Sequence, residues 1–402
     1  MRIFFSLIFL IAASSSYGEV NREKPTLHFA GLFLLSQSDL QSNSIKKEFK
    51  YLSAIYDEEY YKEISEKIRA SIIENKDLPF QIKDDFGRIS NNDSLAVGLV
   101  FSKENFIFLP SSGSRDEVLL DGLVVLNLII FDFKKNVLLD FTPFPIAFAE
   151  KFDNRSQAEA WIKEKMLKKN LLLNDEKFYK PLVKKIKGLN LEKRLNRFQV
   201  RDVKLENSVK SLLEKDQVNL ELHQTFVAQQ LEAALSNYLP ITLIPHRSRR
   251  GSIDDASIGL LSVFNDRDNF QLKLPSPDYY IDVTVRDLKL IRNPSEGEYR
   301  RVADILSYGV FNTIELKESK TEEVKFSSKF FKKDSVLIRK DLDLESLENS
   351  QIKWGYYNVN QFKLFLSFAE QIKEKNLAKL KTITNNETIV NEMAIIERLI
   401  NK

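Results

Sequence analysis

Apolar residues fall into two kinds of pattern along the chain. Residues 95–109 and 279–293 alternate between apolar and polar positions, which predicts β-strands. Apolar residues at helical spacing predict helices over 60–75 and 220–238. The chain therefore mixes both kinds of element.

The two alternating segments belong to an internal repeat. Residues 95–127 align with residues 279–312 at an offset of 184, with a single-residue gap near the end that matches Asn127 to Asn312. In each copy, the strand ends on Pro-Ser-x-Gly, which begins at Pro110 and Pro294 and suits a tight turn. A second apolar strand and then a third are expected in both copies.

The flanks of the repeat agree with it. Each copy begins with a strand, at 27–35 and 198–205, followed by a helix that closes on Leu-Pro before a short strand. A further helix, at 157–173 and 361–376, follows each set of strands. The order β-α-β-β-β-β-α thus occurs twice. It predicts an α+β fold with two tandem copies of a mixed-sheet domain, helices packed on one face, and a C-terminal helix. The predicted divisions are a signal peptide at 1–18, a first α+β domain at 19–172, a basic connector at 173–197, a second α+β domain at 198–380 and a C-terminal amphipathic helix at 381–402.

The C-terminal helix carries an apolar stripe. Its members, at steps of four, three and four, are Ile389, Met393, Ile396 and Ile400. Because a short helix is marginal alone in water, we expect this stripe to be buried. It docks either on the second domain or on a partner.

The amino terminus predicts export. Arg2 precedes an apolar run at 3–13, and Ser16-x-Gly18 fits a small-residue cleavage site before Glu19. An uncleaved anchor is the alternative, although the run is shorter than the ~20 residues of a spanning helix. We expect the mature protein in the periplasm or at the outer-membrane periphery. No later transmembrane segment is expected, and the apolar stretch at 119–133 is interpreted as a buried strand pair.

Composition narrows the function. The 402 residues include 60 Lys and Arg against 57 Asp and Glu, a net charge of +3. This near balance gives no evidence for nucleic-acid binding. A basic stretch at 163–204 is either a solvated connector or a surface for an anionic partner. Since the chain has no cysteine, disulfides, thiolate metal sites and lipid attachment at cysteine are excluded.

The second copy resembles a group of periplasmic modules. The segment 278–283, Asp-Tyr-Tyr-Ile-Asp-Val, followed by strands at 307–317 and 321–331, is similar to the amino-terminal domain of the TolB family. It also resembles domains of the curli secretion channel, of penicillin-binding-protein activators and of flagellar assembly protein T. The resemblance covers about a third of the chain. It implies an envelope protein that binds other proteins and has no catalytic centre. Those families are usually lipoproteins, an anchoring mode that this cysteine-free chain does not share.

Candidate chemistry is sparse. The histidines, at 28, 223 and 246, lie far apart, and no metal site or cofactor is predicted. One loop could grip a phosphate, a carboxylate or an anionic glycan. Its residues are His246, Arg247, Arg249 and Arg250. Acidic pairs at 84–85 and 254–255 leave carboxylate catalysis open.

These observations favour an exported accessory or assembly factor of the cell envelope. It would act by binding envelope proteins, with an anionic glycan as a further partner and oligomerisation left open. The alternative is a carboxylate-dependent hydrolase of an envelope glycan or another periplasmic substrate. The sequence favours a protein that is not an enzyme.

Overall fold

The structure is a computed structural model. It describes residues 24–36, 50–51, 66, 69–70, 72, 78, 80–83, 94–110, 116–163, 180–187, 196–246, 257–262, 269–295, 303–344 and 350–401. The described strands are β1 Thr26–Ser36, β2 Gln81–Lys83, β3 Leu95–Pro110, β4 Val118–Asp132, β5 Val137–Phe152, β6 Arg197–Leu205, β7 Thr242–Ile244, β8 Ser257–Ser262, β9 Asn269–Lys273, β10 Tyr279–Pro294, β11 Ala303–Glu318 and β12 Val324–Arg339.

Helices occupy the stretches between and after the strands. The described helices are α1 Arg155–Trp161, α2 Lys180–Lys187, α3 Asn207–Lys215, α4 Leu220–Tyr238, α5 Ser350–Glu374, α6 Leu377–Lys381 and α7 Ile389–Ile400. The amide side chain of Asn219 accepts the backbone N–H of Leu222 and so starts α4, while Leu239 and Pro240 follow its end. None of the helices in the described stretches is long and apolar enough to cross a membrane.

The strands form two sheets with the same core topology. The first has the order β2-β1-β3-β4-β5-β9-β8 and closes on itself, because β8 also pairs with β1. The second has the order β7-β6-β10-β11-β12. In both, three parallel strands lead into two antiparallel hairpins, so β2-β1-β3-β4-β5 matches β7-β6-β10-β11-β12.

The irregularities of the two sheets also coincide. In the first long hairpin of each sheet, one residue has no partner on the facing strand: Ser102 in β3 and Arg286 in β10, which are 184 positions apart. In the second long hairpin of each sheet, the residue without a partner is Leu139 in β5 or Lys325 in β12, which are 186 positions apart. Because β-bulges are conserved among related domains, two bulges at equivalent positions support a repeat. Both strands before the turn, β3 and β10, end on the proline of the predicted motif.

One detail of the predicted alignment is wrong. Asn312 lies opposite Val285, whereas the residue opposite Phe101, which corresponds to Val285, is Leu126. The loop between the first two long strands is therefore two residues longer in the second copy, not one. Asn127 corresponds to Thr313, and Asn312 corresponds to Leu126.

The elements stack in alternating layers. One face of the first sheet packs against α1, α2 and neighbouring residues such as Ile72. Its other face packs against α4 and α5, where Leu123 and Val125 contact Phe226 and Phe362. The opposite side of α4 and α5 covers one face of the second sheet. The second face of the second sheet, which we call the open face, ends the stack of described elements.

The α+β class with a C-terminal helix is confirmed. The four stripe residues of α7 are buried against the core of the second half, so this helix docks on its own chain. The interpretation of residues 119–133 as a strand pair is wrong: residues 119–132 belong to the single strand β4, which is apolar on both sides because both faces of its sheet are covered. The helix that follows the strands of the second copy, predicted over 361–376, begins earlier, at Ser350.

The hairpin of β8 and β9 was not anticipated. It belongs to the stretch assigned by sequence to the second domain, yet it pairs with β1 and β5 of the first sheet. The predicted domain boundaries stay a prediction. The signal peptide lies outside the described residues, as does most of the helix predicted over 60–75.

Candidate functional site

The open face follows from strict alternation in β10, β11 and β12. In β11 the even-numbered residues from Leu306 to Leu316 are buried beneath α4 and α5, while odd-numbered residues such as Phe311 and Thr313 are half-buried on the other side. The same alternation in β12 buries Phe326 and Phe330 and exposes Ser327 and Lys329. A sheet with one solvated face is expected to show this pattern.

Two aromatic rings sit at the middle of the open face. Phe311 and Phe331, on adjacent strands, stack with their centroids 6.2 Å apart and an interplanar angle of 28°. The ammonium of Lys333 lies 5.5 Å from the ring of Phe331 and 5.9 Å from that of Phe311. Lys289 approaches Phe311 from the other side, at 5.6 Å. The cations hold the rings in place by cation–π attraction.

The ring pair lines a concave site of about 570 Å³. Its lining residues are Arg286, Phe311, Thr313, Ser327, Ser328, Lys329, Phe331, Thr384, Asn385 and Asn386. The segment at 383–386 walls one side because it runs along the edge of β12, where the N–H of Phe331 donates to the carbonyl of Ile383 at 2.7 Å. The hydroxyl of Thr384 donates to the carbonyl of Lys329 at 2.7 Å. The wall of the site is therefore held to β12 by one backbone hydrogen bond and one side-chain hydrogen bond.

Three cations of this site have no acidic partner in the described part of the chain. They are Arg286, Lys329 and Lys333. The Nε of Arg286 is buried and has no hydrogen-bond partner. Because a buried guanidinium donor normally has an acceptor, this one lacks what an incoming carboxylate or phosphate would supply.

A second charged cluster, beside β6 on the same sheet, is by contrast fully paired. Arg201 binds Asp282 at 2.5 Å and Glu322 at 2.7 Å, and Lys317 reaches Asp282 at 3.0 Å. The hydrogen bond to Asp282, followed by that to Glu322, raises the pKa of Arg201. Burial alone would raise the pKa of Asp282, but the hydrogen bonds from Arg201 and Lys317 hold it below its usual range. The cations of this cluster are therefore each paired with carboxylates of the same sheet.

The predicted anion-binding loop is described only at its first residue. His246 is buried, its N–H donates to Glu232 at 2.6 Å, and its Nδ1 lies 2.7 Å from the carbonyl of Val200. Burial lowers the pKa of His246, so its ring is neutral at pH 7. Arg247, Arg249, Arg250 and both acidic pairs lie outside the described residues, and an anion site there stays a prediction.

The other two histidines are buried in the core. His28 lies on β1, and His223 lies at the start of α4 beside Trp354, with ring centroids 5.2 Å apart. Burial, with a contribution from Lys103, lowers the pKa of His223 to about 4. Within the described stretches, no group of three His, Asp or Glu side chains could hold a metal ion.

Sequence reasoning missed the open-face site. A signal was available in β11, where Phe311 interrupts the polar positions of an alternating strand. Arg286 could not be found in this way, since its side chain is placed by a bulge that breaks the alternation.

Comparisons with known proteins give distant likenesses. No family model matches the chain, and no curated protein matches it. A homolog of the neuraminyllactose-binding hemagglutinin from Helicobacter pylori is 13% identical, covering 42% of this chain and 87% of its own, with a TM-score of 0.24. A minor lipoprotein from Acinetobacter baumannii is 10% identical, covering 48% of this chain and 98% of its own, with a TM-score of 0.20. Neither likeness assigns a function to this chain, and the resemblance to the TolB-type modules stays a prediction.

Proposed function

We propose that the protein is an exported accessory or assembly factor of the cell envelope that works by binding another protein through the open face of its second sheet. The observation that carries this proposal is the site of Arg286, Phe311 and Phe331. There, cations without an acidic partner in the described part of the chain surround a half-buried aromatic pair, on a sheet whose other face packs against α4 and α5. Exposed aromatic and arginine side chains are typical anchors of protein interfaces.

The compartment rests on the amino-terminal pattern. An apolar run that is too short to span a bilayer, followed by Ser16-x-Gly18, supports export to the periplasm or to the outer-membrane periphery. The predicted duplication supports an architectural role, because a second copy stacked on the first presents one sheet face to the outside. An anionic glycan is a further proposed partner, through the predicted loop of His246, Arg247, Arg249 and Arg250.

The test is site-specific photo-crosslinking in the native envelope. A photoreactive phenylalanine analogue replaces Ser327, which is exposed inside the site, and in a control it replaces Ser156, which is exposed on α1 beyond the first sheet. We expect a discrete protein adduct from position 327 and none of the same mass from position 156. Identical adducts from both positions, or no adduct from a folded and exported Ser327 variant, would contradict the proposal.

A further inference from the structure

The repeat itself indicates what covers a sheet face of this kind. By the shared strand registers, Phe311 occupies the position that Val125 holds in the first sheet, and Gly309 that of Leu123. In the first sheet, these positions are covered by helices. Leu123 and Val125 pack against Phe226 of α4 and Phe362 of α5. The open face of the second sheet is therefore equivalent to the face of the first sheet on which α4 and α5 pack.

The two surfaces differ in charge. Arg286 stands where the first sheet has Ser102, and Lys329 stands where it has Pro143. Ser102 and Pro143 are neutral and buried beneath α4 and α5, whereas the two cations have no acidic partner among the described residues. A cover made only of apolar side chains would strand these charges away from water, which is unfavourable. An element that binds the open face is therefore expected to carry carboxylate side chains that pair with these cations.

The surface also has room for apolar side chains. The concave site of about 570 Å³ surrounds the stacked rings of Phe311 and Phe331. The three long strands are 16 residues each, so the face is longer than a helix of about 18 residues, which extends ~27 Å. A helix with one apolar stripe and acidic flanks satisfies both the rings and the cations.

We infer that the open face binds an acidic amphipathic helix of the partner protein, in the place that α4 and α5 occupy on the first sheet. The inference rests on the proposed function and names the chemistry of the bound element. The apolar stripe of the helix lies on Phe311 and Phe331, and its flanking carboxylates pair with Arg286, Lys329 and Lys333.

The test uses three synthetic peptides of about 18 residues and the purified full chain. The first is helical, with Leu and Phe along one stripe and Glu on both flanks; the second has Lys in place of each Glu; the third has the composition of the first, scrambled so that the stripe is lost. Binding is followed by fluorescence anisotropy at two salt concentrations. We expect only the first peptide to bind, with an affinity that falls as salt rises.

Variants place the binding on the open face. Arg286→Ala combined with Lys329→Ala should weaken binding by about tenfold or more, since each removes a charge-assisted contact. Phe311→Ala should weaken it by a similar factor. Lys320→Ala, which removes an exposed charge from the β11–β12 turn, should leave the affinity unchanged.

Several results would overturn the inference. Equal binding of the first and scrambled peptides would show that a helical stripe is not recognised, and equal binding of the Glu and Lys peptides would remove the role of charge. Binding that is indifferent to the open-face variants would place it elsewhere. If a protein adduct forms from position 327 while no peptide binds, the proposed function stands and the acidic helix does not.

Discussion

The two sheets have one topology and opposite surroundings. The first is covered on both faces, by α1 and α2 on one side and by α4 and α5 on the other. Among the described elements, the second is covered on one face only, by α4 and α5 together with α3 and α7. Their central strands record this difference: β4 is buried at almost every position, whereas β11 alternates between buried and half-buried residues. Comparing residues at equivalent positions of the two sheets therefore separates two requirements on a strand sequence. Some positions are apolar in both sheets because the shared fold buries them, whereas others differ because only one of the two faces is covered.

The largest expected effect comes from exchanging residues between the two environments. Ile129 is fully buried in the first sheet, and its equivalent in the second is Glu315 on the open face. Ile129→Glu should destabilise the protein by about 4 kcal/mol or more, because it buries an unpaired charge. Glu315→Ile should change stability by less than about 1 kcal/mol, since it removes a partly exposed ion pair with Lys317 at 2.9 Å and an exposed hydrogen bond from the hydroxyl of Ser327 at 3.2 Å. Urea denaturation of both variants gives the two values, and similar losses would show that the open face is covered in solution.

The next effect concerns the helix layer that both sheets share. Lys353 and Asp216 form an ion pair at 2.8 Å with both side chains 1% exposed, and Trp354 also donates to Asp216 at 2.9 Å. Lys353→Met should cost about 3–5 kcal/mol, because it leaves a buried carboxylate without its cation. The matched control is Lys363→Met, which removes the exposed partner of Asp334 from the same helix and should cost at most about 1 kcal/mol. Equal costs in thermal denaturation would contradict the burial of the first pair.

Sequence patterns identified the repeat because its signals are local. Alternation, the Pro-Ser-x-Gly turn and the Leu-Pro steps lie within a few residues of one another, so they predicted most strands and the helix α4. The hairpin of β8 and β9 was missed because its pairing with β1 joins residues over 200 positions apart, and no local pattern encodes that choice of partner. The open-face site contains residues of both kinds. Phe311 interrupts an alternating pattern that is visible in the sequence, whereas Arg286 is placed by a bulge in β10 and Thr384 by its hydrogen bond to Lys329, 55 residues away on the edge strand β12.

A pH-dependent effect distinguishes the buried layer from the open face. Burial raises the pKa of Glu232 on α4 to about 8, against the opposing hydrogen bond from the His246 N–H. Because the folded state holds this proton more tightly than the unfolded state, stability is fully present below the ordinary pKa of a glutamate and falls as pH rises toward 8. Glu232→Gln keeps an acceptor for His246 and should remove a fall on the order of a few kcal/mol between pH 5 and 8. Chemical denaturation at pH 5, 6.5 and 8 measures it; a parallel decline in both proteins would mean that Glu232 is ionised in the fold.

A gain in stability is expected where the copies differ inside the core. Asn312 is fully buried, and neither its Nδ2 nor its Oδ1 has a hydrogen-bond partner, while its equivalent in the first sheet is Leu126. Asn312→Leu should stabilise the protein by about 1–2 kcal/mol, since it removes an unsatisfied buried amide. Asn127→Leu is the control, because that amide donates to the carbonyl of Val100 at 3.1 Å and its loss should bring no gain. A loss of stability in Asn312→Leu would show that the buried amide has a partner in solution.

The smallest effect on stability belongs to the open face itself. Val125 in the first sheet is 2% exposed and packs against Phe226, whereas its equivalent, Phe311, is half-buried beside Phe331. Val125→Ala should cost about 1–2 kcal/mol through lost packing under α4. Phe311→Ala removes a larger side chain but should cost at most about 1 kcal/mol, because much of its ring is already in contact with water and only the stacking on Phe331 and the cation–π contacts are lost. Thermal denaturation of the pair decides this, with circular dichroism to confirm that both variants fold. If Phe311→Ala proves the more destabilising of the two, the aromatic pair belongs to the core of the second sheet, and the case for an interface there is lost.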